Sequence, residues 1–354
     1  MKASLRKETG AASKNIAAHP AVLGLLLTCL ATLLGVMKPT FLELLDYRAF
    51  DALSAPAPDA DVSPVPVIID IDEKSLKRHG QWPWPRYKLA LLLDRLHAMR
   101  VQAIGIDIMF PEKDRTVIDP SAEEIPAALM TTIEIAGLRE FARSSDRLFA
   151  EAVARSATVL GFQFLFDPSP ENTACLLDPI GLNFRRSGGG HPSEDLMEAT
   201  GLVCNLEELT RAAHSTGFFN VSPDRDGVLR SVPLLVKYKG AFYPSLALAA
   251  LMKAFNTNQL WLHHDSSGDA LQLGKRKIPL ASGGRLWVNF RGGGKTFAYI
   301  SAADILSGQT PPEALADKIV FIGTSAAGLK EFRSTPLDPI YTGVEVHATV
   351  VDNV

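Results

Sequence analysis

Cysteine is scarce. The chain has three, Cys29, Cys175 and Cys204, in 354 residues. None stands in a C-x-x-C pair, so neither a zinc site nor a dithiol redox motif is expected. Cys29 lies inside an apolar run. Cys175 and Cys204 leave two readings open, a disulfide or two buried free thiols, and the free thiols are the simpler reading. An excess of one charge is missing too. The formal net charge is -3, and no basic stripe with interleaved aromatics occurs, so no nucleic-acid partner is expected. The chain has no H-E-x-x-H, no G-x-S-x-G and no Cys–His pairing. Catalytic residues and cofactors are therefore not expected, and a metal is left open. What remains is globular in texture, with 47% hydrophobic and 21% charged residues. The length suffices for one large domain or two ordinary ones.

Long hydrophobic runs are nearly absent as well. The exception is Ala21 to Met37, AVLGLLLTCLATLLGVM, which carries no charge. Its length falls at the short end for a spanning helix. Lys2, Arg6, Lys7 and Lys14 precede it against Glu8 alone, which places residues 1–20 in the cytoplasm and the following chain outside. A cleaved signal peptide is the weaker reading, because Gly35-Val36-Met37 is a poor cleavage site. A lipoprotein box fails, since Cys29 sits mid-run after Thr28. A buried core helix is disfavoured by the basic flank. The expected frame is a transmembrane helix over 21–37 and a membrane-proximal amphipathic helix over 38–54. The main domain covers 55–343, and a helix over 344–354 leads back toward the membrane.

Within the main domain, Val65 to Ile71 and Val101 to Ile108 read as buried strands. A helix from Arg86 to Met99 separates them, which gives a parallel crossover unit. A helix of uncertain packing is expected over about 122–143, another over Ser145 to Ser156, and a strand over Thr158 to Phe166. Residues 167–195 read as loop. Strands are expected at Gly217 to Val221, Arg230 to Tyr238 and Ala241 to Tyr243, with turns at Asp224 to Gly227 and Lys239-Gly240. A helix should run from Pro244 to Phe255. Short strands follow at Leu271 to Leu273, Lys277 to Leu280 and Leu286 to Phe290. Ile300 to Leu306 reads as helix and Lys318 to Gly323 as a last buried strand. The fold class is α/β, a mixed sheet with flanking helices preceded by one transmembrane helix.

Acidic groups gather just after strand ends, where open α/β sheets place ligand clefts. Asp70, Asp72 and Asp107 are candidates for a ligand or cation, against the commoner reading that they cap turns and helices. Trp84 and Arg86, in Pro83-Trp84-Pro85-Arg86, are rigid enough to present an aromatic ring and a cation to an anion or a partner. The plainer reading is a helix start with Trp84 packed on the sheet. Asn220, Asp226 and Arg230 around the Asp224–Gly227 turn complete the candidate ligand contacts. Arg291-Gly292-Gly293-Gly294-Lys295-Thr296 has the look of a phosphate loop, but a Walker motif needs glycine where Asn289 stands. His263, His264 and Asp265 are expected in a loop, without a shared metal.

Taken in order, several segments resemble the type-two CHASE domain, an extracellular sensory module of bacterial cyclases and kinases. They are Ile69-Asp70-Ile71-Asp72-Glu73-Lys74-Ser75, Gly80-Gln81-Trp82-Pro83-Trp84-Pro85-Arg86 and Gly105-Ile106-Asp107-Ile108-Met109-Phe110. Gly217-Phe218-Phe219-Asn220, Asp224 to Arg230 and Tyr243 to Ala247 follow. Ile319 to Ser325, Thr335-Pro336-Leu337 and Gly343 to Ala348 close the series. One departure is Glu331, where the family usually has an aspartate. The resemblance implies a sensor for an unidentified extracytoplasmic signal, placed in the bacterial inner membrane with its main domain in the periplasm. It also implies a cytoplasmic output domain, a nucleotide cyclase or else a kinase; a homodimer is expected separately, because both membrane-proximal ends read as helices whose relative arrangement must change. By that comparison the chain is a fragment or a truncated homologue. The competing expectation is an anchored periplasmic enzyme or solute-binding protein complete as it stands.

Overall fold

The computed structural model describes residues 20–37, 39–54, 61–115, 138–167, 175–186, 195–266, 268–326 and 331–354. The helix expected over 122–143 falls mostly outside these residues. The chain forms two compact units, Met1–Ser54 and Ala55–Val354.

The first unit holds helices α1 (Pro20–Met37) and α2 (Thr40–Leu53). The side chains of Leu23, Leu25, Leu26, Leu27, Leu30 and Leu33 on α1 are exposed. Among the described residues, no single helix is long and apolar enough to cross a membrane, although α1 and α2 taken together reach that composition.

The second unit runs β1 (Pro66–Ile71), α3 (Glu73–His79), α4 (Arg86–Ala98), β2 (Ala103–Ile106), α5 (Leu138–Arg155), β3 (Thr158–Leu165), β4 (Gly181–Arg186), β5 (Gly201–Val203), α6 (Glu207–Ala213) and β6 (Thr216–Phe218). It continues with β7 (Ser231–Pro233), β8 (Leu235–Tyr238), β9 (Ala241–Pro244), α7 (Leu246–Ala254), β10 (Gln259–Asp265), β11 (Gly268–Leu273), β12 (Arg276–Leu280) and β13 (Arg285–Trp287). β14 (Ala298–Ser301), α8 (Ala302–Leu306), β15 (Ile319–Thr324), β16 (Phe332–Arg333), β17 (Tyr341–Thr342) and α9 (Gly343–Asn353) complete it.

The main sheet has the order β14-β1-β15-β2-β3, with β5 and β6 both pairing β3. All its pairings are parallel except β3 with β5. Successive side chains of a strand point to opposite faces, and here both faces are buried. Val67, Ile69, Ile71, Ile104, Ile106, Val320 and Ile322 pack under the helices that carry Leu92, Phe149, Leu209 and Ile305. Ile68, Ala103, Val159, Ile319 and Phe321 face the other way, against Leu246, Leu248, Val344 and Val346 of α7 and α9. That is why these strands read as largely apolar runs.

Two glycines let α7 and α9 approach the sheet closely. A Cβ at Gly217 would lie 2.6 Å from Leu246 Cα, and one at Gly323 would lie 2.6 Å from Val344 Cβ. α9, the helix expected to lead away over 344–354, is buried from Val344 to Val351 and belongs to this core.

Four further corrections concern the second half. Residues 167–195, read as loop, contain β4, which pairs parallel with β10 in a four-stranded sheet. His263, His264 and Asp265 lie on β10, not in a loop. Its alternate residues face solvent, so the strand has no apolar run to announce it. Ile300 belongs to β14, and the following helix starts only at Ala302. Pro244 ends β9, and Ser245 caps α7 by accepting the Leu248 N–H at 3.3 Å.

Candidate functional site at the carboxyl ends of the strands

Asp70 is the penultimate residue of β1 and is buried. Its carboxylate accepts the Ser325 N–H at 2.9 Å and the Ser325 hydroxyl, from the turn after β15. Burial pushes its pKa above the ordinary carboxylate range, and the neighbouring Asp72 charge adds to this. The Ser325 bonds and the Lys295 charge pull the other way. Asp72 caps α3, accepting the Ser75 N–H at 2.8 Å, and also accepts the Ser301 hydroxyl at 2.8 Å. The capping geometry therefore holds for Asp72.

The three aspartates do not all meet. β15 lies between β1 and β2, so Asp107 is one strand removed from Asp70. It instead faces His347 of α9, Oδ1 to Nε2 at 3.5 Å. That imidazole stacks on Phe321 at 5.6 Å. Among the described residues, no group of three or more His, Cys, Asp or Glu could hold a metal ion.

The glycine-rich segment is an anion nest filled from within the chain. Glu345, fully buried on α9, accepts the N–H groups of Lys295 at 2.9 Å and Thr296 at 2.8 Å, and the Tyr299 hydroxyl at 2.8 Å. Asp338 accepts the Gly294 N–H at 2.7 Å and the Ile340 N–H at 2.8 Å, which hold its carboxyl below the usual range. Consecutive backbone N–H groups favour negative charge whatever its source. The phosphate-loop appearance thus has a physical basis, with side-chain carboxylates in place of a nucleotide.

Arg86 opens α4 beside a different cleft. Its guanidinium lies over the Phe110 ring at 4.4 Å and its side chain is 11% exposed. Its Nε stands 3.7 Å from Oδ1 of Asp146, which is 3% exposed. Neither atom has a hydrogen-bond partner among the described residues. Asp114 accepts the Arg86 backbone N–H at 2.8 Å and the Ser145 hydroxyl at 2.9 Å. Burial lowers the Arg86 pKa and raises that of Asp146, each partly offset by the nearby opposite charge. Trp84 is buried, donates its indole N–H to Gly80 O at 2.8 Å, and lines the same cleft of about 420 Å³.

Asn220, Asp226 and Arg230 are set apart from these groups. Asn220 exchanges two hydrogen bonds with the backbone of Phe164, at 2.7 and 2.9 Å, and so continues the β3 ladder. Arg230 is 2% exposed and bonds Asp224 at 3.0 Å and Asp226 at 2.8 Å. Those bonds hold Asp226 below the usual carboxylate range. Together they brace the turn at Gly227, whose φ of 82° is left-handed. The reading of Cys175 and Cys204 as free thiols is corrected: they form a disulfide. Asp114, Asp146, Ser325, Tyr299 and Glu345 escaped the sequence reading. Each is a single polar residue whose partner lies far along the chain, and no local motif signals it.

A family model for the CHASE2 domain matches residues 23–354. The chain belongs to the CHASE2 domain family. CHASE2 domains are extracytoplasmic sensory domains. Neither the comparison with curated proteins nor that with solved structures yields a match.

Proposed function

We propose that this CHASE2 domain is the extracytoplasmic sensor of a bacterial signalling receptor, anchored in the inner membrane by α1 and working as a homodimer. It relays its signal to a cytoplasmic output domain, a nucleotide cyclase or else a kinase. The observation that carries this reading is the family match, which runs from α1 through to α9. Two features support it. The exposed leucines of α1 suit a lipid environment. The Cys175–Cys204 disulfide suits an oxidising compartment. Of the candidate contacts, Trp84 and Arg86 line a cleft, and we place reception of the signal there.

Reporter fusions test the orientation. Alkaline phosphatase joined after Val354 should be active and a fluorescent reporter at that site dark, while the same reporter before Met1 should fluoresce. The reverse pattern would overturn the extracytoplasmic placement.

A further inference from the structure

The guanidinium of Arg86 is a buried cation loosely held by the described residues. Its nearest carboxylate oxygen, on Asp146, is 3.7 Å from Nε, beyond hydrogen-bond range. The oxygen of Asp114 that caps α4 is already taken by a backbone N–H and a hydroxyl. Its Nε is buried and has no hydrogen-bond partner among the described residues. A buried charged donor without an acceptor is costly, so a fold that keeps one has an acceptor to offer it. The planar fork of Arg matches a carboxylate with two parallel bonds, and Phe110 beneath fixes its plane.

The space beside it has the right size and texture. The cleft of about 420 Å³ is walled by Pro83, Trp84 and Pro111, with Lys113, Arg115, Asp114 and Glu112 also lining it, the last paired with Arg115. That volume is in the range of small-molecule sites. Proline walls suit a hydrocarbon body, and a guanidinium held by one ion pair at 3.7 Å suits one further acidic group. Asp114 and Asp146 lie beside Arg86 and repel any anion, a dianion about twice as strongly as a monoanion, so phosphate is the poorer fit.

We propose that the Arg86 cleft binds a small organic monocarboxylate with an apolar body, and that this is the chemical class of the signal. The second clause rests on the sensor reading above; the first does not.

The test uses the full chain in lipid nanodiscs, with benzoate and cyclohexanecarboxylate as probes and benzyl alcohol and inorganic phosphate as controls. Calorimetric titration should show saturable binding of at least one carboxylate, with both controls at least about 10-fold weaker. Arg86→Gln should weaken carboxylate binding by about 10- to 100-fold, the factor expected of charge-assisted hydrogen bonds. Arg86→Gln leaves Asp146 buried alone, so the double variant Arg86→Gln/Asp146→Asn is measured as well. It removes both charges and should melt cooperatively yet fail to bind. The proposal is overturned if neither carboxylate binds at millimolar concentration, if phosphate or the alcohol binds as tightly, or if the folded double variant binds like the wild type. These readouts do not depend on which side of a membrane the domain faces. A failure here leaves the reporter-fusion result standing, and a failure there leaves the binding result standing.

Discussion

Glu345 presents its carboxylate to the backbone N–H of Thr296 at 2.8 Å, although 49 positions separate them. The same carboxylate takes the Lys295 N–H and the Tyr299 hydroxyl, so it ties α9 to the loop before β14. Glu345→Ala would remove the acceptor that these donors share. Hydrogen bonds to a charged group are worth about 1.5–3 kcal/mol each, so the variant should lose at least about 3 kcal/mol. Urea unfolding should show a lower midpoint with an unchanged slope. A midpoint like the wild type's would mean the nest is satisfied by water instead. Glu345→Gln keeps the shape and one acceptor oxygen and should fall between the two.

Asp70 gives a pH dependence whose sign is fixed by the direction of its shift. Burial raises its folded pKa above the ordinary 3.8, so the folded state holds the proton more tightly than the unfolded state. Its ionisation therefore costs stability at neutral pH. That cost disappears as pH falls from above the folded pKa to below 3.8. Asp70→Asn keeps an acceptor for the Ser325 N–H and a donor for its hydroxyl oxygen. Relative to the wild type, the variant should be at its best at pH 7 and should lose that relative advantage on acidification. Parallel melting curves from pH 7 to pH 4 check this. A relative advantage that grows toward acid would contradict the assignment.

The disulfide closes a span of 29 residues between Cys175 and Cys204. In the chain-entropy model a loop of that length restricts the unfolded state by about 3–4 kcal/mol. Cys204→Ser should lower stability by up to that amount, and the wild type treated with a dithiol reductant should match it. Thiol labelling of the unfolded, unreduced chain should find Cys29 alone. Labelling of all three cysteines would remove the bond.

Much of the main sheet was legible because β1, β2, β3 and β15 are buried on both faces and therefore written mostly in apolar residues. The neighbours of β1 were not. β15 inserts between β1 and β2 from more than 200 positions away, and nothing local in Ile319 to Thr324 says which strand it will pair. That insertion is what separates Asp107 from Asp70. β4 and β10 were missed for a different reason. Trp261, His263 and Asp265 alternate with Leu260, Leu262 and His264, in a sheet with one solvated face, where period-2 patterns are short and weak. At the candidate site, the cap at Asp72 could be read from Asp-x-x-Ser spacing. The partners of Arg86 could not, because Asp114 and Asp146 come from two separate segments beyond β2.

The last expectation concerns how a signal would leave the sensor. α2 buries none of its own residues, and Phe41, Leu44 and Leu45 lie exposed at helical spacing. A helix of 14 residues is marginal in water by itself. It needs cover for that stripe, and a second copy of the chain supplies the same stripe by symmetry. Ligand binding can then drive signalling only if it favours one arrangement of the two helices over the other. Single cysteines at Leu42, Leu45 and Ala49, in a Cys29→Ser background, should crosslink between protomers in membranes, with one position much stronger than the rest. Inserting one residue after Ala49 rotates the following face by about 100°, and should fix the output of the full receptor on or off without changing ligand affinity. If none of the three positions crosslinks, the dimeric-helix route is wrong, whereas the membership of the CHASE2 family and the Arg86 cleft are untouched by that result.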